Sequence, residues 1–227
     1  MKIGGVILIL LAILFSCQKD EKTPYSLYLG YEYFPVQVGN YAIYEVMDIF
    51  HDVAIEPAHD TSMYQIKELI AESFLDNEGD TIHKLRRYRR ENESQPWVIQ
   101  DIWTLKITDE TAEVVEENDR FLKLVFPIST TQKWNSNALN NEPMLIANYE
   151  NLHQQYSINS MSFDSTITVE KENFLSLIDY RRNYEIYAVG VGRIKSVFKD
   201  LKIADSDTLS VTKGPELHYT LLEFGHE

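Results

Sequence analysis

Apolar and polar residues alternate along most of this chain, and turn residues break the alternation roughly every ten to fifteen positions. A period of two marks strands with one buried face, while Gly, Pro, Asn and Asp mark the turns between them. The pattern predicts strands over residues 41–50, 62–75, 81–90, 97–108, 111–115, 121–126, 144–158, 165–171, 180–188, 191–201, 209–212 and 217–224. Asp76-Asn77-Glu78-Gly79 reads as a hairpin turn, Asn159-Ser160 as another, and the polar stretches 51–61 and 130–143 as loops. Helical periodicity with caps is missing, although 144–155 and 171–177 would most readily accept a helix. Sequential strands with short turns make an antiparallel meander, because parallel strands would need crossover helices. The expected fold is mainly β: one strongly curved sheet, half-barrel or barrel-like sandwich with at most one or two short helices.

The start of the chain breaks this pattern. Lys2 is followed by an apolar run over residues 3–15, then Ser16 and Cys17. The run is short for a permanent membrane span and has the layout of a secretory signal peptide. Leu14-Phe15-Ser16-Cys17 resembles the signal of bacterial lipoproteins, in which the Cys becomes the acylated first residue of the mature chain. This divides the chain into a signal peptide (1–16), a lipidated tether (17–30) and a single β domain (31–227). Cys17 is the sole cysteine, so an internal disulfide is impossible and acylation, palmitate included, gives the thiol a purpose. Each buried methylene contributes about 0.8 kcal/mol, so two or three chains hold a protein on a membrane.

Lys19, Asp20 and Glu21 follow the Cys and resemble the signal that sends Bacteroidota-type lipoproteins to the outer face of the outer membrane. Without that function they form a solvated tether. Its thirteen residues, 18–30, could reach about 45 Å when extended.

Two further stretches carry a family resemblance. Tyr33-Phe34-Pro35-Val36-Gln37-Val38-Gly39-Asn40-Tyr41-Ala42-Ile43-Tyr44 and Tyr187-Ala188-Val189-Gly190-Val191-Gly192-Arg193-Ile194 are similar to the opening and closing motifs of a broad group of secreted and lipid-anchored bacterial proteins. Phe126-Pro127-Ile128 with Trp134 resembles its middle. The resemblance implies a mainly antiparallel β domain, in the manner of half-barrel lipoprotein carriers, and implies no activity.

Composition narrows the partners. The formal charge is −14, and −15 once Lys2 leaves with the signal, which repels nucleic acid and anionic lipid. Hydrophobic residues at 44% and aromatics at 12% suit a folded core. The expected partners are the membrane, through the N-terminal lipid, and an envelope protein or glycan.

Candidate chemistry is sparse. Gly190-Val191-Gly192-Arg193 lacks the third glycine of a phosphate loop and reads as a bend or bulge. Asp76-Asn77-Glu78-Gly79-Asp80 has calcium-type oxygens without calcium-loop spacing. His51-Asp52 and His59-Asp60 could pair across their loop as metal ligands, but no third ligand is spaced with them, so no metal site is expected. Gly-x-Ser-x-Gly and His-Glu-x-x-His motifs are missing, and no catalytic residue or cofactor is expected.

Arg86-Arg87-Tyr88-Arg89-Arg90 is the one basic cluster, in which Arg87 and Arg89 share a strand face with Leu85. Cross-strand pairing with Glu68, Glu72 or Glu93 on a solvated sheet face is the favoured reading, and an anionic sugar or carboxylate ligand at Arg87 and Arg89 is the alternative. Trp97, Ile99, Trp103, Leu105 and Ile107 should share an apolar face, whereas Trp134, in a polar loop, is nominated as an exposed ring. The expected role is a non-enzymatic, outer-membrane lipoprotein facing outward that binds or assembles. The alternatives are a periplasm-facing carrier of an apolar ligand and an envelope or polysaccharide hydrolase.

Overall fold

The computed structural model describes residues 29–227. The expected signal peptide, Cys17 and the export residues Lys19, Asp20 and Glu21 lie outside the described residues. A 3-10 turn, Tyr31–Tyr33, precedes twelve strands: β1 (Asn40–Asp52), β2 (His59–Leu75), β3 (Thr81–Arg90), β4 (Val98–Ile107), β5 (Thr111–Glu116), β6 (Asp119–Val125), β7 (Lys133–Asn135), β8 (Ile146–Ile158), β9 (Met161–Leu175), β10 (Asp179–Ala188), β11 (Gly192–Ala204) and β12 (Asp207–His226).

They form one antiparallel sheet in the order β6-β5-β4-β3-β2-β1-β12-β11-β10-β9-β8-β7. The chain therefore runs from the centre to one edge, crosses to the other edge, and returns to pair β12 with β1 from Asn40↔His226 to Asp52↔Lys213. The edges β6 and β7 meet, so the sheet is a nearly closed barrel. At this seam the Leu122 amide donates to the Ser136 carbonyl at 2.9 Å, and the Trp134 indole donates to the Leu122 carbonyl at 3.1 Å. Below β7 the Tyr149 hydroxyl completes the closure. It accepts from the Val125 amide and donates to the Val125 carbonyl, each at 2.8 Å. One side chain thus replaces a rung of the ladder, which keeps the edge from templating another strand.

The alternating pattern located eleven of the strands to within a few residues, and both places open to a helix are strand. Two differences have physical causes. β7 is three residues long, too short to show a period, and sits in the stretch read as a loop. Residues 209–212 and 217–224 belong to a single strand, β12. Gly214-Pro215 lies between the two predicted segments, where proline donates no backbone hydrogen bond. In the fold Pro215 lies opposite Phe50, and the pairing with β11 skips from Lys199↔Glu216 to Lys202↔Lys213.

The segment before β1 closes one end of the barrel. Tyr33 is completely buried, and its hydroxyl lies 2.7 Å from His153 Nδ1 and 2.8 Å from Ser165 Oγ. Backbone bonds tie it to distant parts: Ile128 N to Leu29 O, Gly190 N to Glu32 O and Gly39 N to Ile70 O. Tyr31 stacks edge-on against Phe126, with ring centroids 4.6 Å apart. Phe34 and Val36 pack on the cluster of Ile70, Leu85, Leu105 and Val114.

Candidate functional site

A half-open cavity of about 100 Å³ lies inside the barrel beneath Phe34 and Pro35. One wall is apolar, made by Phe34, Ile70, Leu85, Leu105 and Val114; the other carries Glu68, Glu116, Lys123, Glu185 and Arg193. The charged wall is one connected network. Glu185 receives Lys171 Nζ at 2.7 Å, with Lys123 Nζ at 3.7 Å and Arg193 Nη1 at 3.8 Å. Lys123 also pairs with Glu116 at 2.6 Å, and the Tyr187 hydroxyl donates to Glu185 Oε2 at 3.0 Å. Arg193 reaches Glu68 at 2.9 Å, and Glu68 accepts from Arg87 Nε at 3.2 Å.

Bulges put these cations inside. Glu113↔Leu122 and Ala112↔Leu124 leave Lys123 as the extra residue of β6. Likewise, Tyr184↔Glu170 and Asn183↔Glu172 leave Lys171 extra in β9. Ile186↔Lys195 and Tyr187↔Arg193 leave Ile194 extra in β11, next to Arg193. An inserted residue re-aims neighbouring side chains relative to the plain alternation. Here it sends three cations toward Glu185.

The electrostatics follow from burial and pairing. Burial alone would raise the Glu185 carboxyl, but Lys123, Lys171 and Arg193 outweigh it and hold the group well below the usual carboxylate range. Burial works against the Lys123 ammonium, yet Glu116 and Glu185 push it up. Lys171 moves down because burial dominates over Glu185. The Arg193 guanidinium is held well above its ordinary value by Glu68, Tyr44 and Glu185 against the effect of burial. Its Nε is buried without a hydrogen-bond partner. A carboxylate fixed in its ionised form is no general acid, and the network gives Glu185 no free proton to donate.

The nominated residues are redistributed. Arg87 takes the expected cross-strand pairing, with a correction to its setting: it is buried, not on a solvated face. Its guanidinium bonds Glu68, Asp101 at 2.9 Å and the Tyr219 hydroxyl at 3.2 Å, and lies 3.7 Å over the Trp103 ring. The expected partner Glu68 is right, but the face is the interior one. Arg89 stacks 3.6 Å over Tyr64 and bonds Glu91 at 2.9 Å. Trp134 is also corrected, since its ring is buried at 8% exposure against Tyr149, at 4.7 Å between centroids. The three do not converge on one site; only Arg87 adjoins the cavity, through Glu68 and Trp103.

The turn at residues 76–80 gathers Asp76, Glu78 and Asp80 within ion-binding reach of one another. Lys106 Nζ already lies among them, 3.4 Å from Asp76, 3.8 Å from Glu78 and 2.6 Å from Asp80. The protein supplies its own cation there.

No protein-family profile matches the chain, and no curated protein matches it significantly. Two solved structures resemble it remotely. One is a protein from Parabacteroides distasonis named as a lipoprotein, 10% identical, with a TM-score of 0.43 over 85% of this chain and 98% of that one. The other is a protein from Bacteroides fragilis named as exported with a YmcC-like fold, 7% identical, with a TM-score of 0.46 over the same shares.

Proposed function

We propose that the chain is a non-enzymatic, lipid-anchored cell-envelope protein. Its barrel holds the end group of a small ligand, presented by an envelope protein or glycan partner. The anchor rests on Cys17 and its apolar leader. The observation that carries the binding role is the meeting of an apolar wall with fixed charge in one half-open cavity, a combination typical of ligand sites. An apolar cavity of about 150 Å³ accepts benzene. One of about 100 Å³ therefore takes a group no larger than a single ring, with the rest of the ligand outside.

The charges constrain that group. Arg87, Lys123, Lys171 and Arg193 are balanced by Glu68, Asp101, Glu116 and Glu185. A neutral group leaves that balance undisturbed. A carrier would need room for an acyl chain and a dry lining, and a hydrolase acting in this cavity would need a carboxyl there able to give up a proton, where Glu185 is held ionised.

Ring-sized probes such as phenol and benzamide, added at millimolar concentration, should shift the NMR signals of Leu105, Val114 and Arg193. Val114→Phe, filled from the apolar wall, should lose those shifts while keeping its strand circular dichroism. Probes that leave the cavity signals of the wild type unmoved would remove the binding role.

A further inference from the structure

We infer that His51 and His59 form a binding site for a divalent transition-metal ion at the end of the barrel opposite the start of β1 and the end of β12. The two residues face each other across the β1–β2 pairing, His51↔His59. Their Nδ1 atoms lie 2.8 Å apart, with ring planes at 67°. Two imidazole nitrogens converging in this way can share one proton or one metal ion. Ligands about 2.05 Å from a tetrahedral ion lie about 3.3 Å apart. A small rotation of the exposed His59 ring opens the pair that far.

The surroundings single out the metal. His51 is 7% exposed, and its Nε2 is buried with no hydrogen-bond partner. The nearest counter-group is Glu216 Oε2, at 3.5 Å. Glu216 stands on β12, the strand paired with the other side of β1, and is itself largely buried. Its other oxygen is fixed by Lys199 Nζ at 2.8 Å and His218 Nε2 at 2.5 Å.

A histidine that ligates through one nitrogen and turns the other toward a carboxylate is the recurring arrangement of protein metal sites. When His51 Nε2 carries its proton toward Glu216, Nδ1 presents a lone pair toward His59. Glu216 acts as the positioning residue, and His51 and His59 are the ligands. With two protein ligands, water fills the remaining positions, two in a tetrahedral site, where an open zinc enzyme site has one. Imidazole ligands favour zinc, nickel and copper over magnesium or calcium. The acidic neighbours Asp52 and Asp60 raise the local cation concentration, although Lys213 lies 3.5 Å from Asp52.

The test uses the purified full-length chain, titrated with Zn²⁺ and Ni²⁺ against a chromophoric chelator, and with Cu²⁺ followed by electron paramagnetic resonance. The wild type should bind one equivalent, with splitting from two nitrogens in the copper spectrum. His59→Ala lies on the surface and should keep the fold while losing one nitrogen and at least tenfold in affinity. Glu216→Gln should keep both nitrogens and bind 10–100-fold more weakly, as loss of an outer-shell partner does. His226→Ala, remote from the pair, should match the wild type. Stoichiometric binding unchanged in His59→Ala, or no binding by the wild type, would show that the two rings are a hydrogen-bonded pair only.

Discussion

At the scale of single residues, the alternation of the strands identified faces well and failed at the bulges. Leu85, Leu105 and Val114 are buried as their spacing implies. Ile99 and Ile102 are half exposed, although Ile99 was placed on the same apolar face as Trp103 and Leu105. The pairing Arg87↔Asp101 followed by Tyr88↔Ile99 shows why. Gln100 is an extra residue, so the parity on its two sides differs. The same device hid the interior network, because Lys123 and Lys171 are themselves inserted residues. What could be seen was a lone charge amid apolar neighbours, as in Phe121-Leu122-Lys123-Leu124 and Tyr184-Glu185-Ile186-Tyr187.

Glu185 is the residue whose loss should matter most. It is 3% exposed and contacts three cations, so Glu185→Gln leaves buried positive charge uncompensated. Breaking a buried pair in this way costs roughly 3–5 kcal/mol. A carboxylate with a depressed folded pKa contributes fully above its unfolded value, about pH 4.3, and loses that contribution as pH falls toward its folded value. Wild-type stability in urea should therefore drop as pH is lowered below about 4.3. Glu185→Gln should be weaker at neutral pH and show a shallower acid decline. Equal slopes for the two proteins would mean that the carboxylate is not held ionised by its neighbours.

At the scale of elements, the most informative strand is β12. It runs for 20 residues through Gly214-Pro215. Gly214 has φ +123°, and a Cβ there would lie 2.0 Å from the Asp200 carbonyl oxygen of β11. The glycine therefore serves two purposes: it takes a backbone conformation that other residues resist, and it lets two strands approach closely. The sequence showed the break in the alternation but not that β12 continues past it. That continuation depends on β1 and β11, which pair from distant parts of the chain. Gly214→Ala must move the β11 backbone, so it should unfold at a lower temperature than Gly79→Ala. Gly79 also has positive φ, but open space surrounds it. Equal melting temperatures for the two variants would show that the close approach costs nothing.

At the scale of the molecule, the strand order fixes which end is which. β1 starts, β12 ends and the segment from Leu29 enters at one end, while His51 and His59 stand at the other. The described chain thus begins, at Leu29, at the end opposite the histidine pair. Topology across the membrane is a separate question, and the expectation to test is that Lys19, Asp20 and Glu21, which lie outside the described residues, direct export. Cys17→Ser provides the reference: it should lose fatty-acid labelling and leave the membrane fraction. If the charged triplet directs export, protease added to intact cells should digest the wild-type domain. Replacing all three residues with Ala should then leave a lipidated, folded protein protected inside. An outward-facing protein cannot ferry lipid across the periplasm, so digestion favours binding or assembly at the surface. Digestion of the wild type only after the outer membrane is opened would place the barrel inside and restore the carrier as the leading function.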